Sequence, residues 1–503
     1  MKSPAIAVIT AFFACAAPVA AQSASGGELG TINFPTSAKG AAQAAFLVGV
    51  KALHNFEFDT AAEAFRDAQK ADPSFALGYW GEAMSFNHPL WAEQDIASAR
   101  RVLERLAPTA PARAAKAPAG KERALIEAVD VLFGAGDKYA RDTAYAAAMK
   151  RLHEQYRDDD EVAVLYALSL LGTRRPGEKT VRNAMQAAAI AEDIFQRNPK
   201  HPGAAHFIIH AFDDPDHAIL ALPAARAYSK IAPAAAHALH MPSHIFVQLG
   251  MWDDVVASNV VAYKAAVDLA EKRSLPRGRE DFHTLSWLQY AYLQQGNVAE
   301  AEKALSTAKA VADKDTSPRV RDGYAAMKAR QIVETAKCEK IALSNAAVRD
   351  GGAPGYDGSA AYVLAAGLGA ARLGDFETAA VAQDRFKAMR TQAESGSNAY
   401  RAKPLAIMEK EVGAAVAMAK KDPAGAEQLL KEAAAIELTL DAPSGPPEPI
   451  KPSFEMYGEL LLDQGRFKDA AAQFERSLAR MPNRRASTQG VEKTRAARPS
   501  EAR

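Results

Sequence analysis

The chain has 503 residues, 49% of them hydrophobic, with 61 Lys and Arg set against 60 Asp and Glu. So even a balance supplies no basic stripe and argues against nucleic acid and anionic membrane surfaces as partners. Beyond the N-terminus no stretch reaches the roughly 18 to 20 uninterrupted apolar residues of a membrane helix, so no membrane insertion is expected.

Residues 1–21 read as a secretory signal peptide. Lys2 gives the positive charge, Ala5 to Ala17 the apolar run, and Val19-Ala20-Ala21 a small-residue end before the polar Gln22-Ser23. Export follows, to the periplasm or outside the cell. Cleavage removes Lys2 and Cys15, which takes the formal charge from +1 to 0 and leaves Cys338 as the sole thiol. No internal disulfide can then form. Residues 22–40 are expected to be a flexible lead-in.

From residue 41 the apolar spacing is helical. Ala45, Val48, Gly49 and Ala52 mark one helix, Ala61, Phe65 and Ala68 a second, and Pro73 closes the unit. Two antiparallel helices with small residues where they cross make one hairpin. The grammar returns in Gly458, Leu461, Gly465, Phe467, Ala470, Phe474 and Pro482. Between these units, residues 249–254, 295–300 and 373–378 look like tight turns in which Gly ends one helix and Asp or Asn caps the next. Pro199 and Pro233 fix the register of a central pair of units.

These units resemble the tetratricopeptide repeat, whose period of about 34 residues is also the interval from Pro199 to Pro233. The likeness covers most of the mature chain, and no strand-like alternation competes with it. The fold class expected is all-α, a right-handed superhelical solenoid of about nine to eleven such hairpins. Residues 41–350 form its main body, with histidine-rich central repeats over 201–290, and residues 351–482 the C-terminal repeats. Loops are read at 107–120, 351–359 and the five-proline segment 441–453, and residues 483–503, polar and basic, as a disordered tail.

Eight of the 11 histidines lie between His201 and His283. His206 and His240 are one repeat period apart, as are His210 and His244. Each pair is spaced i, i+4, which puts two imidazoles one turn apart on one helix face. Ala205, Ile208, Ile209 and Phe212 form the apolar stripe of the first such helix, so His206 and His210 point away from it. Met241-Pro242 interrupts the second helix, and the chelating geometry is therefore firmer for His206 and His210 than for His240 and His244.

The repeat resemblance implies that His206, His210, His237, His240, His244 and His283 face the concave groove, with His201, Asp213 and Asp214 at its border. His54 and His88, separated by the same period, fall at the inner ends of two earlier first helices, and Trp91 lies beside His88. Clustered neutral imidazoles suit Zn, Cu, Ni or Fe. His206, His210, His240 and His244 are accordingly the candidate metal ligands, and His54, His88, Trp91, His201, His237, His283 and Asp213 the candidate ligand-binding residues. Metal affinity is expected to fall below about pH 6.5, where free imidazole takes up a proton.

Two other readings stand beside capture of a metal or a metal-associated ligand. The segments Asn87-His88-Pro89-Leu90-Trp91, His201 to His206 and His240 to His244 look like those of an exported bacterial branch of tetratricopeptide-repeat proteins. That resemblance implies a scaffold holding a protein or peptide along its groove, without metal. A metal-dependent enzyme would need a base, which Asp213 or Glu280 could supply. Neither histidine helix carries a glutamate, and no nucleophile elbow or phosphate loop occurs.

Overall fold

The computed structural model describes residues 28–178, 180–315, 317–337, 339, 341, 343, 356–396 and 399–497. Residues 1–27, expected to hold the signal peptide, Cys338 and the glycine-rich stretch up to residue 355 lie outside them. Among the described residues the chain is helical, apart from two short antiparallel pairings, Asn87 with Gln94 and His88 with Glu93. Helices pack chiefly on their neighbours in sequence, as a solenoid of hairpins requires.

The geometry of one joint explains the repeat grammar. Phe65, on the helix Phe58–Ala71, is fully buried against two glycines on first helices, Gly49 of its own hairpin and Gly81 of the next. A methyl group on either would come within 2.7 and 2.2 Å of the ring. Phe474 sits in the same way between Gly458 and Gly490, at 2.8 and 2.5 Å. An aromatic ring thus occupies the space where two successive first helices approach, and only the smallest residue fits opposite it.

Three expectations are corrected. The loop read at 107–120 contains a helix, Ala110–Lys116, with Thr109 capping it through the Ala112 amide. Residues 28–39, part of the supposed flexible lead-in, are pinned down, residues 28–31 on the central repeats and Phe34 and Ser37 on the N-terminal helices. Leu29 is buried, the Thr31 amide donates to the Lys200 carbonyl at 2.9 Å, the Ala234 amide to that of Glu28 at 3.3 Å, and Phe34 is buried against Phe46 and Trp80. Within the supposed disordered tail, Arg485–Ala497 is a helix that buries Ser487, Gly490, Val491 and Thr494. Its buried stripe is made of small residues and carries little hydrophobic signal.

The C-terminal segment also returns to the centre. Trp252 Nε1 donates to the Asn483 carbonyl at 3.0 Å, and the Arg485 amide to Gln294 Oε1 at 2.9 Å. Arg484, almost wholly buried, reaches Glu455 at 2.8 Å, Glu334 at 2.7 Å and the Tyr290 hydroxyl at 3.3 Å. Both ends of the described chain are therefore fastened to its middle repeats.

Candidate metal centre

Three successive first helices carry the central histidines. They are Pro202–Ala211, then Ala236–His240 continuing as Pro242–Gln248, then Glu280–Gln295. Pro242 restarts the second helix without separating its histidines, whose ring centroids are 5.1 Å apart. His206 and His210 from the first helix meet His237 from the first turn of the second. His240 and His244 from the second meet His283 from the first turn of the third. Within each set the ligand atoms lie within 4.8 Å of one another. The second set is the first one moved along by one repeat.

The Nε2 atoms face each other. His206 Nε2 lies 3.0 Å from His210 Nε2 and 3.2 Å from His237 Nε2, and His240 Nε2 lies 3.0 Å from His283 Nε2. Nitrogens about 2.0 Å from a tetrahedral ion stand about 3.3 Å apart, so this spacing is close to that of a coordination shell.

Outer partners fix which nitrogen is free. His206 Nδ1 meets the His54 carbonyl at 2.7 Å, which can only accept, so Nδ1 carries the proton and Nε2 offers its lone pair inward. His240 Nδ1 meets Asn259 Oδ1 at 2.7 Å, and the Asn259 amide is oriented by donating to the Val255 carbonyl at 2.9 Å. His244 Nδ1 donates to Asp213 Oδ2 at 2.7 Å, while Asp213 Oδ1 accepts from Gln248 Nε2 at 3.1 Å. Three of the six imidazoles thus have a buttress of the kind that orients metal-ligating histidine.

Burial and the neighbouring rings push His206, His210 and His240 well below the ordinary 6.5. Their lone pairs therefore stay available in mildly acidic solution, and the threshold near pH 6.5 expected of free imidazole moves downward. Each set also has an aromatic wall. Phe56, held at a φ of 56° that costs a non-glycine residue roughly 1–2 kcal/mol, lies 4.4 Å from the His206 ring and 5.6 Å from that of His237. Trp287 lies 4.9 Å from His240 and 4.4 Å from His244.

The remaining candidates are distributed around this core. His54 and His201 do not line a groove. Both are buried with Glu161, which accepts from His54 Nε2 at 2.8 Å and from His201 Nε2 at 3.1 Å. His201 Nδ1 in turn caps its helix by accepting from the Ala204 amide at 3.1 Å. These hydrogen bonds tie the three side chains together, His54 Nδ1 is left buried without a partner, and the link to the centre is the His54 carbonyl. Trp91 is 49% exposed at the rim, 5.9 Å from His237, and His88 stacks on Phe58 at 4.0 Å. Asp214 pairs with His217 at 2.8 Å in a local turn.

The residues that sequence reasoning missed are the buttresses and walls: Asn259, Glu161, Phe56 and the His54 carbonyl. Trp287 reads in sequence as a packing residue of its hairpin. Glu57, whose carboxyl is raised by burial, accepts from the His237 amide at 3.4 Å. Each acts across a long stretch of sequence, and no local spacing betrays it.

No family model matches the chain, and no curated protein matches it. Similar solved structures include the Cut9-Hcn1 hetero-tetramer of the APC/C, at 14% identity over 90% of this chain and 76% of that one, with a TM-score of 0.36. Yeast Tom70 follows at 11% identity, 91% and 88% coverage and a TM-score of 0.32. A Rap protein complexed with competence and sporulation factor has 12% identity, 91% and 99% coverage and a TM-score of 0.32. At such scores the likeness carries no argument about what the chain does.

Proposed function

We propose that the protein is an exported helical-repeat binder that captures transition-metal ions with two adjacent three-histidine sites. The observation that supports this most is the inward convergence of Nε2 atoms at 3.0 to 3.2 Å, with the opposite nitrogens of His206, His240 and His244 occupied by acceptors. An all-imidazole set suits Cu, Zn, Ni or Fe, and copper heads the affinity order for nitrogen ligands. Three protein ligands leave a position of each ion for water or an incoming group.

Elemental analysis of protein purified without an affinity tag, alongside H206A/H210A, tests the reading. Stoichiometric metal is expected in the parent, with the first site's share lost in the double variant; sub-stoichiometric metal after loading would refute it. A metal-independent scaffold for a protein or peptide would instead retain its partner through chelator treatment.

A further inference from the structure

We infer that the proline-rich segment 441–450 is an internal strap that holds the second histidine set in its ligating arrangement, bearing on His244 from two sides. The inference rests on the metal-binding reading above and deepens it. The strap lies in an unusually long connection. Residues 438–452 join the helices Pro423–Glu437 and Ser453–Asp463, whereas most helix pairs are joined by roughly 2–8 residues, and longer loops without structure of their own usually have a function. Pro443, Pro446, Pro447 and Pro449 have no amide hydrogen to donate and keep their own φ fixed, so the segment is stiff without forming a helix.

Its ends are anchored. The Asp441 amide donates to the Tyr400 hydroxyl at 2.9 Å, the Gly177 amide to Asp441 Oδ2 at 3.0 Å, and Arg480 Nη2 to the Asp441 carbonyl at 2.8 Å. At the other end Lys451 pairs with Glu455 at 3.0 Å and Glu459 at 2.6 Å, and the Ser453 amide donates to Glu437 Oε2 at 2.7 Å. Between these anchors the segment meets the central repeats at two points. Gln248 Nε2 donates to the Pro443 carbonyl at 2.8 Å. Gly445 lies so close to Trp287 that a methyl group there would come within 2.3 Å of the ring.

Both points lead to His244. The buried Gln248 uses its other amide hydrogen on Asp213 Oδ1 at 3.1 Å, and Asp213 Oδ2 accepts from His244 Nδ1 at 2.7 Å. The strap carbonyl and the carboxylate thus share one side-chain amide. Trp287, whose ring the strap confines, lies 4.4 Å from the His244 ring and 4.9 Å from that of His240. A ring held in place before the ion arrives has less freedom to lose on binding. The first set is walled by Phe56 and held through the His54 carbonyl, so the strap's influence falls on the second. Because the strap belongs to the C-terminal hairpins, a shift of those hairpins against the central repeats is passed to His244.

Copper(II) is the probe, and the full chain carrying H206A/H210A, in which only the second set remains, is the protein. A specific protease sequence inserted after the exposed Ser444 allows the strap to be cut in the folded chain. Cutting is expected to weaken copper binding roughly 10–100-fold, the usual size of an outer-partner effect. Helix content by circular dichroism should stay the same, and the electron spin resonance spectrum should show one nitrogen fewer around the ion. Gly445→Ala, which pushes the uncut strap off Trp287, should shift affinity in the same direction by a smaller factor. Unchanged affinity after cutting would overturn the strap while leaving metal binding intact. An equal loss at the first set, measured in cut H240A/H244A, would overturn its hold on His244 and reduce it to general support of the fold. Failure of the uncut chain to bind copper would instead remove the reading beneath.

Discussion

At the scale of single residues, the proposed metal centre would depend on side chains that do not themselves offer a ligand atom. Asp213→Ala removes the acceptor of His244 and frees that ring to turn. Outer partners of this kind typically contribute 10–100-fold in affinity, so calorimetric titration should show a loss of about that size at the second site, with the first changed less. The buried rings also set a pH dependence. The folded chain holds His206 and His240 below 6.5, whereas the unfolded chain binds those protons at ordinary affinity. Between the folded value and about 6.5 the unfolded state therefore carries more protons, and stability is lost as pH falls through that window. The urea midpoint of chelator-treated protein is expected to be lower at about pH 5 than at about pH 7.5. An unchanged midpoint would mean that these rings meet water in the folded chain.

At the scale of helices, the joint between hairpins makes its own demand. Gly81→Ala would drive a methyl group to 2.2 Å from the Phe65 ring, and overpacking of this kind costs about 1–3 kcal/mol, measurable as a lower unfolding midpoint with metal content retained. That joint was legible in the sequence because glycine and phenylalanine recur at fixed offsets. So was the grouping of His206 with His210 on one face, a local consequence of helical pitch. The division into two sets was not, because His237 and His283 join from the following helix and their membership depends on how repeats stack. Glu280 was weighed only as a catalytic base, and Asn259 gave no signal at all. The terminal helix escaped notice for a different reason: Ser487, Gly490, Val491 and Thr494 have helical spacing, but they are too small and polar to register as an apolar face.

At the scale of the whole molecule, the two ends of the described chain bear on its centre. Glu28 to Thr31 lies across the repeats that carry His201 to His206, and Arg484 ties the C-terminal hairpins to the helices that bear Glu334 and Tyr290. Arg484→Ala would leave Glu334 without its cation and Glu455 with Lys451 alone. Breaking a buried pair from one side costs about 3–5 kcal/mol, and denaturant unfolding should then separate into two transitions, the C-terminal hairpins melting first. A single transition at the parent's midpoint would show the tie to be idle. Arrays of stacked repeats ordinarily fray from their tips and lengthen under load like a spring. A coil clasped at both ends to its own waist has no tip to peel, so mechanical pulling on residues 28 and 497 is resisted by the clasps before any coil opens.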